Sequence, residues 1–298
     1  MGNLVTLRRP RAAIGERLAD MGAVLVMAGL TIREAWRRRF LVVALGLGAA
    51  FLVLYGVGFY FIYIDIRGYS GGRSLAMDTG LNMVVMAGLY VVSFLGIMAG
   101  VLLAVPAMAG EIATHTVDVL AVKPYRRGVL VVGKWLGLVA VVGMYVSVLS
   151  AGTIVVTWAI SGVAPANAAR GVALIALEAI VLMSITLLGG TRLSVVANGA
   201  MSLGLYGLAF IGGWMEQIGA FTRNDTVVDI GIVTSLLVPS EAMWKMAAYA
   251  MQPPVFRDLG VSPFSVSAPP SAAMLIYTLV YVTALVVAAV LALERRDL

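Results

Sequence analysis

Six separate stretches of this chain are apolar over about 20 or more consecutive residues, and this feature constrains its fold more than any other. The stretches are 40–64, 81–109, 128–160, 171–190, 193–214 and 272–293. A helix of about 20 residues crosses a bilayer core of about 30 Å. The stretches are apolar on every face, whereas the strands of a membrane barrel alternate apolar and polar residues. We therefore predict an all-α integral membrane protein with one transmembrane domain, residues 1–298, and six spanning helices.

The distribution of basic residues predicts the orientation of these spans. Cytoplasmic loops carry an excess of Lys and Arg, and an even number of spans places both termini on the same side. With the N-terminus inside, 15 of the 21 Lys and Arg residues fall on the inner side and six on the outer side. Both termini are therefore expected to be cytoplasmic. The formal net charge of +6 then reflects topology and contact with lipid headgroups, so no nucleic-acid partner is needed to explain it.

Residues 21–39, ahead of the first span, form an amphipathic pattern that is apolar first and basic afterwards. The apolar part is too short to cross a bilayer, so we predict a helix lying in the interface, with Arg37, Arg38 and Arg39 at the headgroups of membrane lipids. A generic basic flank predicts the same placement. Arg126 and Lys134, ahead of the third span, are assigned to the same interface, and the Lys134 side chain is expected to extend toward the headgroups.

Two glycine pairs within the apolar runs have the spacing that allows helices to approach closely. Gly96 and Gly100 lie in the second span, and Gly133 and Gly137 lie at the start of the third. Such small residues reduce the separation between neighbouring helices. We interpret both pairs as packing positions.

The longest segment outside the spans, residues 215–271, lies between the fifth and sixth spans and is expected on the outer face. It contains an apolar stretch too short to cross, followed by Pro239 and Ser240, which can begin a helix. Glu241 and Lys245 are spaced as an ion pair on one helix face. We predict short helices that rest in, or dip into, the outer leaflet.

The chain lacks the residues that most membrane enzymes need. Its single histidine is His115 and it has no cysteine, which leaves no material for a Ser–His pair, a thiolate nucleophile or a multi-histidine metal site. Gly128, Gly133 and Lys134 have the spacing of a phosphate-binding loop, but Trp135 stands where that loop needs Ser or Thr. We therefore expect no enzyme activity, no cofactor and no metal site in this chain.

Glu178 is the only formal charge well inside a predicted span. Ionisable groups within a membrane are costly enough to be candidate functional residues by default. The structural alternative is a carboxyl group that is protonated, or bonded to hydroxyls such as those of Ser184 and Thr186 or to another span. Both a structural or gating role and direct substrate contact remain open.

The segment between the second and third spans has the pattern of a short amphipathic helix on the inner side. One face carries apolar and small residues and the other carries polar ones: Ile112, Thr116, Val119 and Leu120 against Glu111, Thr114, His115 and Asp118. Pro124 ends the pattern. A two-faced helix between two spans could transmit force from a soluble partner. A surface helix that only reverses the chain fits the same pattern.

The order of residues in this segment resembles the corresponding loop of the ABC type-2 permeases, the transmembrane subunits of ATP-binding-cassette exporters. The matching residues are Glu111, Thr116, Leu120, Lys123, Pro124, Arg127, Gly133 and Lys134, with His115 where the family usually has glycine. The sequences at Lys123-Pro124 and at residues 133–137 are most similar to those of the branch named for multicopper-enzyme maturation. Residues 237–244 and 294–298 agree with the same family, so the resemblance spans the whole six-span plan.

The resemblance implies that residues 111–123 form a coupling helix that docks on a separate ATPase subunit. Contact with that subunit is then assigned to Glu111, Thr116, Asp118, Lys123, Pro124 and Arg127. Two permease subunits, identical or different, and two ATPase copies would form the transporter, in the plasma membrane and specifically a bacterial inner membrane. The alternative is a stand-alone secondary carrier or channel that uses Glu178.

Overall fold

We describe the chain from a computed structural model, in which the described residues are 10–37, 39–70, 75–113, 127–253 and 271–295. Side chains are described for residues 20–37, 39–68, 77–110, 128–253 and 271–295. Within these ranges the chain contains nine α-helices and no β-strand. The all-α prediction is therefore confirmed for the described part of the chain.

The nine helices follow one another with short connections wherever the connection is described. They are α1 (Pro10–Arg37), α2 (Arg39–Ser70), α3 (Leu75–Ala113), α4 (Arg127–Ser161), α5 (Ala168–Gly189), α6 (Val195–Thr222), α7 (Asp225–Leu237), α8 (Ser240–Met251) and α9 (Ala272–Glu294). Six of them, α2 to α6 and α9, are long and apolar enough to cross a membrane. These six match the six predicted spans, so the chain is a multi-pass membrane protein.

Several helices extend beyond the apolar runs that predict them. Helix α3 continues through Glu111 to Ala113, so the first residues assigned to a separate coupling helix belong to the spanning helix. Helix α6 continues to Thr222, eight residues beyond the predicted boundary at 214. The physical reason in α6 is that Glu216, which interrupts the apolar run, has a charged partner on α8 and need not leave the bundle.

Helices α3 and α5 form the centre of the bundle, while most of the surface of α2 and α9 is exposed. The contacts of two glycines show how α3 and α5 run relative to each other. A Cβ atom on Gly100 would lie 3.3 Å from the Ala179 carbonyl oxygen, and one on Gly190 would lie 3.1 Å from Met108 Cβ. Helices α3 and α5 therefore run parallel and in close contact. The packing role predicted for Gly96 and Gly100 is confirmed.

The bundle has two ends, which we name by exposed arginines. At the Arg192 end α3 and α5 finish and α4 and α6 begin. At the Arg223 end α6 finishes and α5 begins. Helix α9 runs toward the Arg192 end, because a Cβ atom on Gly128, at the start of α4, would lie 3.1 Å from Val290 near the end of α9.

Helices α7 and α8 form a bent pair between the fifth and sixth spans, with an angle of 105° at the break. Helix α7 starts beside the end of α6, where a Cβ atom on Gly219 would lie 2.8 Å from the Val228 nitrogen. Helix α8 ends beside the start of α5, because the Ala166 N–H donates to the Met251 carbonyl at 3.0 Å. Both ends of the pair therefore lie at the Arg223 end, so the pair is re-entrant with respect to the bundle, and six helices are candidate membrane spans.

Candidate functional site

Most residues assigned to ATPase contact lie outside the described part of the chain. Thr116, Asp118, Lys123 and Pro124 are among them, as are the interface residues Arg38 and Arg126. Glu111 is in the last turn of α3 and Arg127 is the first residue of α4, and their side chains are not among those described. The coupling helix thus stays a prediction. The described helices α3 and α4 come before and after it in the chain.

Arg37 and Arg39 are exposed and lie on either side of the junction between α1 and α2. Helix α1 does more than flank the first span, because its Ala28, Thr31 and Ala35 are buried. A Cβ atom on Gly137 would lie 2.8 Å from the Ala28 carbonyl oxygen. The α1 helix is therefore packed against the first turns of α4. The predicted packing role of Gly133 and Gly137 is confirmed, with α1 as the partner.

The structure corrects the expected position of the Lys134 side chain. Only 3% of Lys134 is exposed, and its Nζ atom donates a hydrogen bond to the Ala107 carbonyl oxygen at 2.7 Å. Ala107 lies in the last two turns of α3, near a helix end that carries partial negative charge. An acceptor on a neighbouring helix is thus within reach of Nζ, and the side chain does not extend toward the headgroups.

Glu178 lies at the middle of α5 and is 1% exposed. Its Oε2 atom accepts a hydrogen bond from Ser93 Oγ at 2.6 Å, so its bonded partner is on α3. The hydroxyls suggested by the sequence have other partners. Ser184 donates to the Ile180 carbonyl at 2.7 Å, and Thr186 donates to the Leu182 carbonyl at 2.7 Å. Of the structural alternatives, a bond to another span is the one observed.

A second buried carboxyl group, Glu241 at the start of α8, interacts electrostatically with Glu178. Tyr90 on α3 and Tyr206 on α6 interact with both carboxyl groups. The indole N–H of Trp214 hydrogen-bonds the Tyr90 hydroxyl. Polar side chains from α3, α5, α6 and α8 therefore meet beside the break between α7 and α8, which is the part of the re-entrant pair that lies deepest in the bundle.

The same group of polar residues continues toward the Arg223 end through an ion pair. Lys245 Nζ lies 2.7 Å from Glu216 Oε2, and the two side chains are 10% and 24% exposed. The sequence predicts Glu241 as the partner of Lys245, but the hydrogen-bonded partner is Glu216 on α6. Glu241 remains close enough to interact electrostatically with both. We name the set Ser93, Glu178, Glu241, Lys245 and Glu216 the polar line.

Chemically, the polar line offers carboxyl, ammonium and hydroxyl groups that can hold or exchange protons inside an apolar bundle. Within the described residues, no group of three or more His, Cys, Asp and Glu side chains is arranged to hold a metal ion. Sequence reasoning identified Glu178 but missed Ser93 and Glu216 as members of this line. Ser93 meets Glu178 where α3 packs on α5, and Glu216 meets Lys245 where α8 turns back into the bundle, so these distant residues leave no local pattern in the sequence.

No protein-family model matches this sequence, and a comparison with curated proteins also finds no match.

Proposed function

We propose that this chain is the permease subunit of an ATP-binding-cassette transporter of the exporter type. The resemblance of residues 111–137 to the ABC type-2 permeases supports this assignment. The observation that carries it is the geometry around that segment. Helices α3 and α4, which flank it, have 39 and 35 residues. They are therefore about 58 Å and 52 Å long at 1.5 Å per residue, well beyond the core of about 30 Å.

In this proposal the Arg192 end is cytoplasmic. Arg37, Arg39, Arg192 and Arg295 are all exposed, and the last two mark the ends of spans at that end of the bundle. The positive-inside tendency then places the re-entrant pair on the outer side. Helix α1 contributes basic residues at the inner leaflet. The membrane is the plasma membrane, specifically a bacterial inner membrane.

Two copies of a separate ATPase subunit would dock on residues 111–123 of two permease subunits, which are identical or different. ATP-driven closure of the ATPase pair would displace this segment. Helices α3 and α4 would follow as a rigid body, because Lys134 joins them, and the path between the subunits would open alternately to the two sides. ATP hydrolysis takes place on the partner, so this chain is not an enzyme.

The test is to purify the tagged chain from its native membrane and to identify the proteins that accompany it. We expect an ATPase subunit with a true phosphate-binding loop. Glu111→Lys and Asp118→Lys should each reduce the recovered ATPase, while the protein remains inserted in the membrane. Asp229→Lys is the matched control, because it reverses an exposed charge at the Arg223 end. Recovery of the same amount of ATPase with all three variants, or of none with the unaltered chain, would contradict the proposal.

The polar line favours a second candidate, a stand-alone carrier or channel that uses Glu178. Glu178 has electrostatic partners that lead toward one end of the bundle, as a proton pathway requires. This candidate is tested with the chain alone in proteoliposomes under an imposed pH gradient, with a pH-sensitive dye inside. It predicts a proton flux that Glu178→Gln removes. The permease proposal predicts no flux without the ATPase subunit.

A further inference from the structure

Three consecutive residues of α4, Gly133, Lys134 and Trp135, each contact a different helix. Successive residues of an α-helix point about 100° apart, so three of them cover more than half of its circumference. Together they lie near the start of α4, next to the segment that joins α3 to α4. We name these three residues the hub.

The first arm of the hub is a contact with the backbone of α1. A Cβ atom on Gly133 would lie 3.0 Å from the Val24 carbonyl oxygen and would clash with Met27. One turn later, Gly137 makes the same kind of close contact with Ala28 and Thr31. Because these atoms include backbone, a side chain at either position would push α1 away from α4.

The second arm is the hydrogen bond from Lys134 to the Ala107 carbonyl on α3, at 2.7 Å. Removing a hydrogen-bond acceptor from an ammonium group in an apolar interior is costly. The bond therefore resists separation of α3 from α4 more strongly than an apolar contact of the same size would.

The third arm connects α4 to α5. Trp135 Nε1 donates to Ser184 Oγ at 2.9 Å, and that hydroxyl in turn donates to the Ile180 carbonyl at 2.7 Å. Helix α5 also carries Glu178, about one and a half turns before Ser184. The hub is thus joined to the helix that holds the central carboxyl group.

We infer that the hub holds α1 and the Arg192 ends of α3, α4 and α5 together as one unit, in which Lys134 is the positioning residue between α3 and α4. The unit includes both helices that flank residues 114–126 in the chain, so a displacement of that segment would reach α5 through the hub. The idea that a partner subunit displaces this segment rests on the proposed function. The existence of the unit does not depend on the proposed function, because it is argued from the contacts of the hub alone.

The first experiment measures hydrogen–deuterium exchange of the full chain alone in lipid nanodiscs. Lys134→Met should accelerate exchange in residues 107–113 and 128–134 by about tenfold, which corresponds to the loss of about 1.4 kcal/mol from a charged hydrogen bond. Lys134→Arg, which can still donate to the carbonyl, should restore slow exchange. Lys245→Met, the matched control at a second buried lysine of the described residues, should accelerate exchange only in α6 and α8. Unchanged exchange at both segments in Lys134→Met would overturn the inference.

Trp135→Phe provides an independent variant, because it removes only the third arm. It should accelerate exchange in residues 180–189 and leave 107–113 unaffected. Equal acceleration in both segments, or in neither, would overturn the assignment of separate arms.

The second experiment adds the ATPase subunit that copurifies, in the absence and presence of ATP with vanadate. The unaltered chain should show a nucleotide-dependent change of exchange in α5. In Trp135→Phe this change should be lost while ATPase binding and hydrolysis persist, because that variant removes the hydrogen bond between α4 and α5. The same change in Trp135→Phe as in the unaltered chain would overturn transmission through the hub. If no ATPase copurifies, the proposed function and the transmission both fail, and the nanodisc measurement alone decides whether the unit exists.

Discussion

At the scale of single residues, Lys134 and Glu178 show how an apolar bundle accommodates ionisable groups. Each is buried and each bonds to α3, Lys134 to a backbone carbonyl and Glu178 to a hydroxyl. The sequence identifies Glu178 because a lone carboxyl group in an apolar run is conspicuous. It misplaces Lys134 because a lysine near a helix end can extend to either the headgroups or a neighbouring helix. In the structure the Lys134 side chain lies inside the bundle, where it bonds the carbonyl of Ala107 on the neighbouring helix.

Replacing Ser93 with alanine should lower the free energy of unfolding, because Glu178 loses its hydrogen-bond donor in a buried site. We expect a loss of about 1–3 kcal/mol, measured by titration with a denaturing detergent in mixed micelles. Thr278→Val is the control, since that buried hydroxyl donates to the Met274 carbonyl of its own helix. Equal effects of the two substitutions would show that the bond to Glu178 contributes nothing specific.

At the scale of helices, the packing of α1 on α4 depends on glycines that leave space for backbone contact. Gly137→Ala should destabilise the protein by about 1–3 kcal/mol, because its new methyl group would overlap Thr31 and the Ala28 carbonyl. The same detergent titration measures this, and limited proteolysis should show earlier cleavage in α1.

Gly143→Ala is the matched control on the same helix, because a Cβ atom there meets nothing within 4 Å. It should be neutral or stabilising by up to about 1 kcal/mol, since alanine favours a helix more than glycine does. If Gly143→Ala destabilises as much as Gly137→Ala, the contact with α1 is not the cause.

The re-entrant pair depends on an ion pair between two helices. Lys245→Met and Glu216→Gln should each destabilise the protein, while the double variant should cost less than the sum of the two. We expect a coupling energy of about 1–3 kcal/mol between the two substitutions. This is large for residues in contact, because both side chains are mostly buried. Lys245→Met combined with Asp229→Asn, an exposed residue of α7, should be additive. Additivity in the Lys245–Glu216 pair would contradict the predicted strength of this contact.

At the scale of the whole molecule, the re-entrant pair decides how many times the chain crosses the membrane. Arg223 and Ser271 lie before and after this pair and are both exposed. The natural chain has no cysteine, so Arg223→Cys and Ser271→Cys can be labelled individually with a membrane-impermeant maleimide. Both should react from the same side in intact cells, and Arg192→Cys should react only in inverted vesicles. Labelling of Arg223→Cys and Ser271→Cys from opposite sides would mean that α7 and α8 together cross the membrane.

The sequence by itself determined that the chain is helical and that it has six spans, because partition of an apolar helix into lipid depends on the composition of that helix and hardly on its neighbours. It also determined the packing positions of Gly96 and Gly100, whose spacing is local. The tertiary structure alone decided the partners of the buried polar groups, since Lys134 can reach several helices and Glu216 meets Lys245 only where α8 turns back into the bundle. Polar groups in a bundle take their roles from neighbours that are distant in the chain, which no local pattern of residues specifies.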